Sequence, residues 1–158
     1  MRRYPKAKKF FPKNPEKYVG DVNNIVCRSG IEYRYFKFFD ENSSIVKYSS
    51  EEVIIPYVSP IDKKVHRYFP DFMIQVKTKD GKLKNFLIEI KPSSDLIEPK
   101  AGKKTTKRLL SEMVTWETNK AKWESAKKFA KKHNMDFLVM TEKTIALNFN
   151  SSKNNGED

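Results

Sequence analysis

Pro70 and Asp71 are followed, eighteen residues beyond the acid, by Glu89, Ile90 and Lys91. The charged groups sit at the ends of apolar runs over 72–76 and 83–90, and Asp80 and Gly81 between the runs predict a β-hairpin. Side chains alternate across a strand, so Glu89 and Lys91 share one face while Ile88 and Ile90 pack on the other. The hairpin carries Asp71 to the same end of the adjacent strand, where two carboxylates and an ammonium converge. Like charges in a partly buried sheet repel and need a counter-charge. A hard divalent cation, Mg²⁺ or Mn²⁺, supplies one, because one or two carboxylates plus phosphate oxygens suffice to hold it. Such an ion orients water and stabilises charge on a phosphate under attack. Lys91 would then position or deprotonate the water, or neutralise developing charge.

These strand ends need supporting elements. Ser29 and Gly30 open a helix whose apolar positions, Ile31, Tyr35, Phe38 and Phe39, recur every three or four residues. Glu32 lies in its first turn, beside that face. Asn42, Ser43 and Ser44 end the helix. Residues 45–57 read as strand, bent or bulged at 49–52 and apolar on both faces over 53–57. A turn over 59–64 leads into a strand through His66, Tyr68, Pro70 and 72–76. Pro92 closes the hairpin, and 93–104, with Pro99 and Gly102, form a mobile basic loop. Thr105 or Thr106 caps helical residues 107–132, as one helix or two. Its stripe runs through Leu110, Met113 or Val114, Glu117, Ala121, Ala126, Phe129 and Ala130. Trp116 and Trp123, two turns apart, read as core, His66 as a structural or surface residue, and His133, near a helix terminus, as a partner of the helix dipole. A short apolar strand over 136–140 and another over 144–149 complete a single α/β domain across 21–149, with a central mixed β-sheet flanked by helices. Residues 1–20, with seven bases, one acid and three prolines, form an extended basic N-terminal arm. Residues 150–158 form a disordered polar tail.

Thirty-two Lys and Arg against 20 Asp and Glu leave a net charge of +12 on 158 residues. That excess favours a polyanionic partner, nucleic acid first and an anionic membrane surface second. Arg67, Lys100, Lys103, Lys104, Lys107, Arg108 and Lys122 are the candidate phosphate contacts. The longest apolar runs, 53–55 and 137–140, fall far short of the roughly 20 residues that cross a bilayer. The basic N-terminus has no apolar stretch and no small-residue cleavage site, so no secretory signal is expected. A single cysteine, Cys27, excludes a disulfide scaffold and a thiolate zinc cluster.

Pro70, Asp71, Glu89, Ile90 and Lys91 together resemble the PD-(D/E)XK signature of restriction-endonuclease-like nucleases. The resemblance implies a restriction-endonuclease-like core and a Mg²⁺-dependent (or Mn²⁺-dependent) phosphodiester hydrolase. Asp71, Glu89 and Lys91 would be catalytic, with Asp71, Glu89 and Ile90 at the metal. In such families a further Glu often comes from the helix before the core strands. Glu32, within residues 29–34, is similar to it and joins both sets; Glu51 and Glu52 are rival carboxylates. The run 47–57, with Trp116, Asn119, Lys122 and Trp123, narrows the resemblance, over about residues 20–147, to head-completion nucleases of tailed phages and their TnsA-like relatives. This implies a protein of the virion, or of the host cytoplasm during assembly, that trims or protects packaged double-stranded DNA beside portal or head proteins, without a membrane. Two cuts in a duplex are simplest with a symmetric homodimer. The alternative is a structural head-completion or portal-associated DNA-binding protein with weak or vestigial cleavage. No helix-turn-helix or zinc-ligand pattern supports a sequence-specific DNA binder.

Overall fold

The computed structural model describes residues 7–102 and 105–144. Strands β1 (Lys8–Lys9) and β2 (Val26–Cys27) pair antiparallel ahead of helix α1 (Gly30–Glu41). Strands β3 (Ile45–Ser50), β4 (Ile55–Val58), β5 (Val65–Tyr68), β6 (Phe72–Lys77) and β7 (Leu83–Ile90) follow, then helix α2 (Lys107–Lys132) and strand β8 (Met135–Met140). The central sheet has the order β3-β6-β7-β8. Its pairings are antiparallel except for β7 with β8, which are parallel because α2 carries the chain back across the sheet. A mixed sheet between α1 and α2 is the restriction-endonuclease-like α/β architecture.

The β6–β7 hairpin turns where Asp80 and Gly81 predict it. Gly81 has φ +82°, a conformation that favours glycine, and its N–H donates to the Thr78 carbonyl at 2.9 Å. Period-two alternation then divides the hairpin between two cores. Phe72, Ile74, Ile88 and Ile90 pack with Tyr35, Phe36 and Phe39 of α1. Met73 and Leu87 pack on the other side with Ala126 and Ala130 of α2 and with Ile55, Tyr57 and Tyr68.

Several expectations change. Residues 45–57 are two strands, not one, because Glu51 turns left-handed at φ +54° and its N–H is taken by the Asp71 carbonyl at 3.2 Å. The strand expected from His66 through Val76 also divides, at Phe69–Asp71 around Pro70, which has no amide hydrogen to give a ladder. β4 and β5 thus form a separate two-stranded ribbon. Along α1 the buried face is Glu32, Tyr35, Phe36, Phe39 and Asp40, so Glu32 lies on that face and not beside it. Along α2, one unbroken helix, the apolar stripe is covered only in its C-terminal part; Leu110, Met113 and Val114 remain exposed.

The described part of the expected basic arm, from residue 7, is integrated into the domain. Phe10 is buried and stacks on Phe36 at 5.2 Å. Lys17 Nζ donates to the carbonyls of Phe39, Asp40 and Asn42 at 2.8–2.9 Å, closing the C-terminal end of α1. Buried Asp40 accepts the backbone N–H of Lys13 and the hydroxyl of Tyr48. A strand over 144–149 and the tail over 150–158 lie outside the described residues, except that Thr144 belongs to a helical turn.

Candidate active site

Phe72 pairs with Ile88 in the β6–β7 ladder, and the same register carried one residue further sets Asp71 opposite Glu89. Both side chains lie on the α2 side of the sheet, as do Met73 and Leu87. Glu89 is 6% exposed. Its Oε2 accepts the Tyr68 hydroxyl at 2.5 Å, and its Oε1 lies 3.6 Å from Lys91 Nζ. Asp71 Oδ2 accepts the backbone N–H of Ile90 at 2.7 Å. Glu89, Ile90 and Lys91 therefore meet Asp71 at one strand end, as the spacing predicts.

Glu32 arrives from the start of α1. The Ser29 hydroxyl accepts the Glu32 N–H at 3.0 Å, and the Glu32 carboxylate turns back to accept the Arg28 N–H at 3.2 Å. Of the rival acids, Glu51 borders the same cleft and pairs with Arg28 Nη1 at 2.9 Å. Glu52 turns toward Gly20.

Crowding acids in a dry site raises their affinity for protons. Burial first, then the Glu89 charge, push the Asp71 carboxyl up to about 8, against the pull of the Ile90 N–H. Glu89 is raised by burial, opposed by Tyr68, Lys91 and Lys122. Glu32 is raised by burial and by Glu51 and Glu89. The Glu89 charge thus raises both Asp71 and Glu32, and the Glu32 charge raises Asp71.

The cleft has a volume of about 480 Å³, and Arg28, Arg67, Tyr68 and Lys122 border it together with Asp71 and Glu89. Lys122 Nζ sits 5.7 Å from the Tyr68 ring centre and 5.8 Å from that of Tyr57. Two of the expected phosphate contacts, Arg67 and Lys122, thus stand at the acids. Lys107 and Arg108 lie about 20 Å along α2 from Lys122 at 1.5 Å per residue. Arg108 is engaged with Glu112 at 3.1 Å. Lys100 is exposed, and Lys103 and Lys104 lie outside the described residues.

Among the described residues no three His, Cys, Asp or Glu side chains stand close enough to cage a metal by themselves. The donor chemistry nevertheless suits Mg²⁺, which keeps several waters and takes one or two carboxylates plus phosphate oxygens. Desolvated Asp71 and Glu89 have that character.

The model of the TnsA-like endonuclease N-terminal domain matches residues 42–142. The chain belongs to this family. A relative, the head completion nuclease of Enterobacteria phage T4, is 38% identical over 138 residues, which is 85% of this chain and 89% of that protein. Asp71, Glu89 and Lys91 fall inside the TnsA-like match; Glu32 precedes it. For this TnsA-like chain the sequence reasoning missed Tyr68 and Arg28. Tyr68 carried little signal: a buried phenol must find a partner for its hydroxyl, but the rest of its strand, Val65 to Arg67, is exposed. Arg28, exposed and just outside a helix cap, carried none.

Proposed function

We propose that this chain is a Mg²⁺- or Mn²⁺-dependent DNA endonuclease that acts in phage head completion, trimming or protecting packaged duplex ends in the virion or in the host cytoplasm during assembly. The observation that carries the reading is the juxtaposition of half-buried Asp71 and buried Glu89 at one end of the β6–β7 ladder, with Lys91 Nζ 3.6 Å from Glu89. Family membership and the name of the phage T4 relative support nuclease activity and its setting.

Asp71, Glu89 and the Ile90 carbonyl would hold the cation, with Glu32 as the third acid behind them. When bound, the ion supplies Lewis-acid stabilisation of the phosphate and a more acidic water. Lys91 orients the attacking water and neutralises charge that develops on phosphate oxygen. Tyr68 fixes Glu89 by occupying Oε2, which leaves Oε1 toward Lys91. Arg67 and Lys122 place the phosphate backbone over the acids. Portal or head proteins, and a second copy of the chain for the second cut, are the further partners of this reading.

Purified protein incubated with linear and supercoiled DNA should cleave with Mg²⁺ or Mn²⁺ and stop with chelator. Asp71→Asn, Glu89→Gln and Lys91→Ala should each lower the rate by about 100-fold or more, as losses of transition-state stabilisation. Glu32→Gln should cost less, since its carboxylate also serves the helix start. Undiminished cleavage by the three central variants would remove the proposal.

A further inference from the structure

The β4–β5 ribbon is anchored on one side only. Ile55, Tyr57 and Tyr68 are buried in the core shared with α2, whereas Pro56, Val58, Val65 and Arg67 on the opposite face are exposed. Val58 and Val65 pair across the ladder at 56% and 69% exposure, and Ile61 in the connecting turn is 54% exposed. Contiguous aliphatic surface left open at a hairpin tip points to a binding role.

Its surroundings identify the partner by charge. Lys63 and Lys64 follow Ile61 in the same turn, both are exposed, and neither they nor Arg67 form an ion pair among the described residues. The one acid of the turn, Asp62, is occupied by His66 Nε2 at 2.7 Å and by the Lys64 N–H at 2.9 Å. Arg67 belongs both to the outer face of the ribbon and to the wall of the cleft, so the surface runs without interruption toward Asp71 and Glu89. The ribbon's paired length is about 13 Å at 3.3 Å per residue, and a two-stranded ribbon fits a groove of B-form DNA. Aliphatic side chains at such a tip can wedge against a base step while flanking lysines hold phosphates.

We propose that the β4–β5 ribbon is a groove-inserting arm for duplex DNA, with Lys63 and Lys64 on the phosphates and Ile61 and Val65 against the bases, leading the backbone to the cleft. This deepens the nuclease reading and rests on it, since the arm delivers the strand to the same acids.

The test uses the full chain in chelator, so that no cutting occurs, with a short fluorescein-labelled duplex and anisotropy read across a salt series. A second duplex carries 2-aminopurine to report unstacking. Lys63→Ala/Lys64→Ala should weaken binding by about tenfold and lower the salt slope by about 1–2. Ile61→Ser/Val65→Ser should weaken it several-fold with the slope unchanged and abolish the 2-aminopurine signal. Lys82→Ala/Lys84→Ala, at the turn end of the β6–β7 hairpin and away from the acids, should bind as the parent does. Thermal midpoints confirm folding, and the lysine pair keeps the test valid should the serine pair not fold. Parent-like binding by both ribbon variants, with Lys122→Ala still impaired, would overturn the arm and leave the nuclease reading intact. No duplex binding by the parent protein would overturn both.

Discussion

Asp71 gives the site a measurable dependence on pH. Its carboxyl is raised from an ordinary 3.8 to about 8, so the folded state favours the neutral acid. The resulting contribution to stability is complete below about pH 4 and is lost as pH rises through about 8. In chelator the thermal midpoint should therefore fall between about pH 5 and pH 8, and Asp71→Asn should flatten that fall. Added Mg²⁺ should restore the midpoint at the alkaline end, where the carboxylates are free of protons. An identical slope in Asp71→Asn would place the dependence elsewhere. Tyr68 supplies a second residue-scale expectation. Tyr68→Phe leaves Glu89 Oε2 without its buried donor and should cost about 1.5–3 kcal/mol in urea unfolding, with less than additive loss when combined with Glu89→Gln. Asp71, Glu89 and Lys91 were legible in the sequence because a period of two and one obvious turn fix their mutual placement. Tyr68 was not, because its role comes from the separate ribbon folding over the hairpin end, and spacing does not encode that docking.

The elements divide in the same way. The β6–β7 hairpin and α1 could be read from local patterns, since turn chemistry and a Ser29 cap act within a few residues. The Lys17 contacts could not, because their acceptors are backbone carbonyls at the end of α1, which have no residue signature. Lys17→Met keeps the aliphatic stem but removes three hydrogen bonds from those carbonyls, and should destabilise the fold by about 1–3 kcal/mol by chemical denaturation. A neutral outcome would mean that water replaces the ammonium there. The exposed Leu110, Met113 and Val114 show the opposite failure: a helical stripe was present, but among the described residues no sheet or ribbon lies over that part of α2. Periodicity predicts which face is apolar and does not supply the cover.

At the scale of the molecule, Cys27 reports on global opening. Burial, with the nearby Glu32 charge, pushes its thiol up to about 12, so it is both covered and poorly ionised. Alkylation in native conditions should be slow and should accelerate in step with unfolding; rapid labelling of folded protein would reveal a local opening of β2. The parallel pairing of β7 and β8 bears on how the enzyme is made. Ile90 and Lys91 meet Met140 only after α2 has been synthesised between them, and the Tyr35 hydroxyl then latches onto the Thr141 carbonyl at 2.6 Å. A nascent chain that has reached only the hairpin has its acids but not the strand that holds their platform. The platform beneath Asp71 and Glu89 is thus assembled only from a chain that already carries α2 and β8.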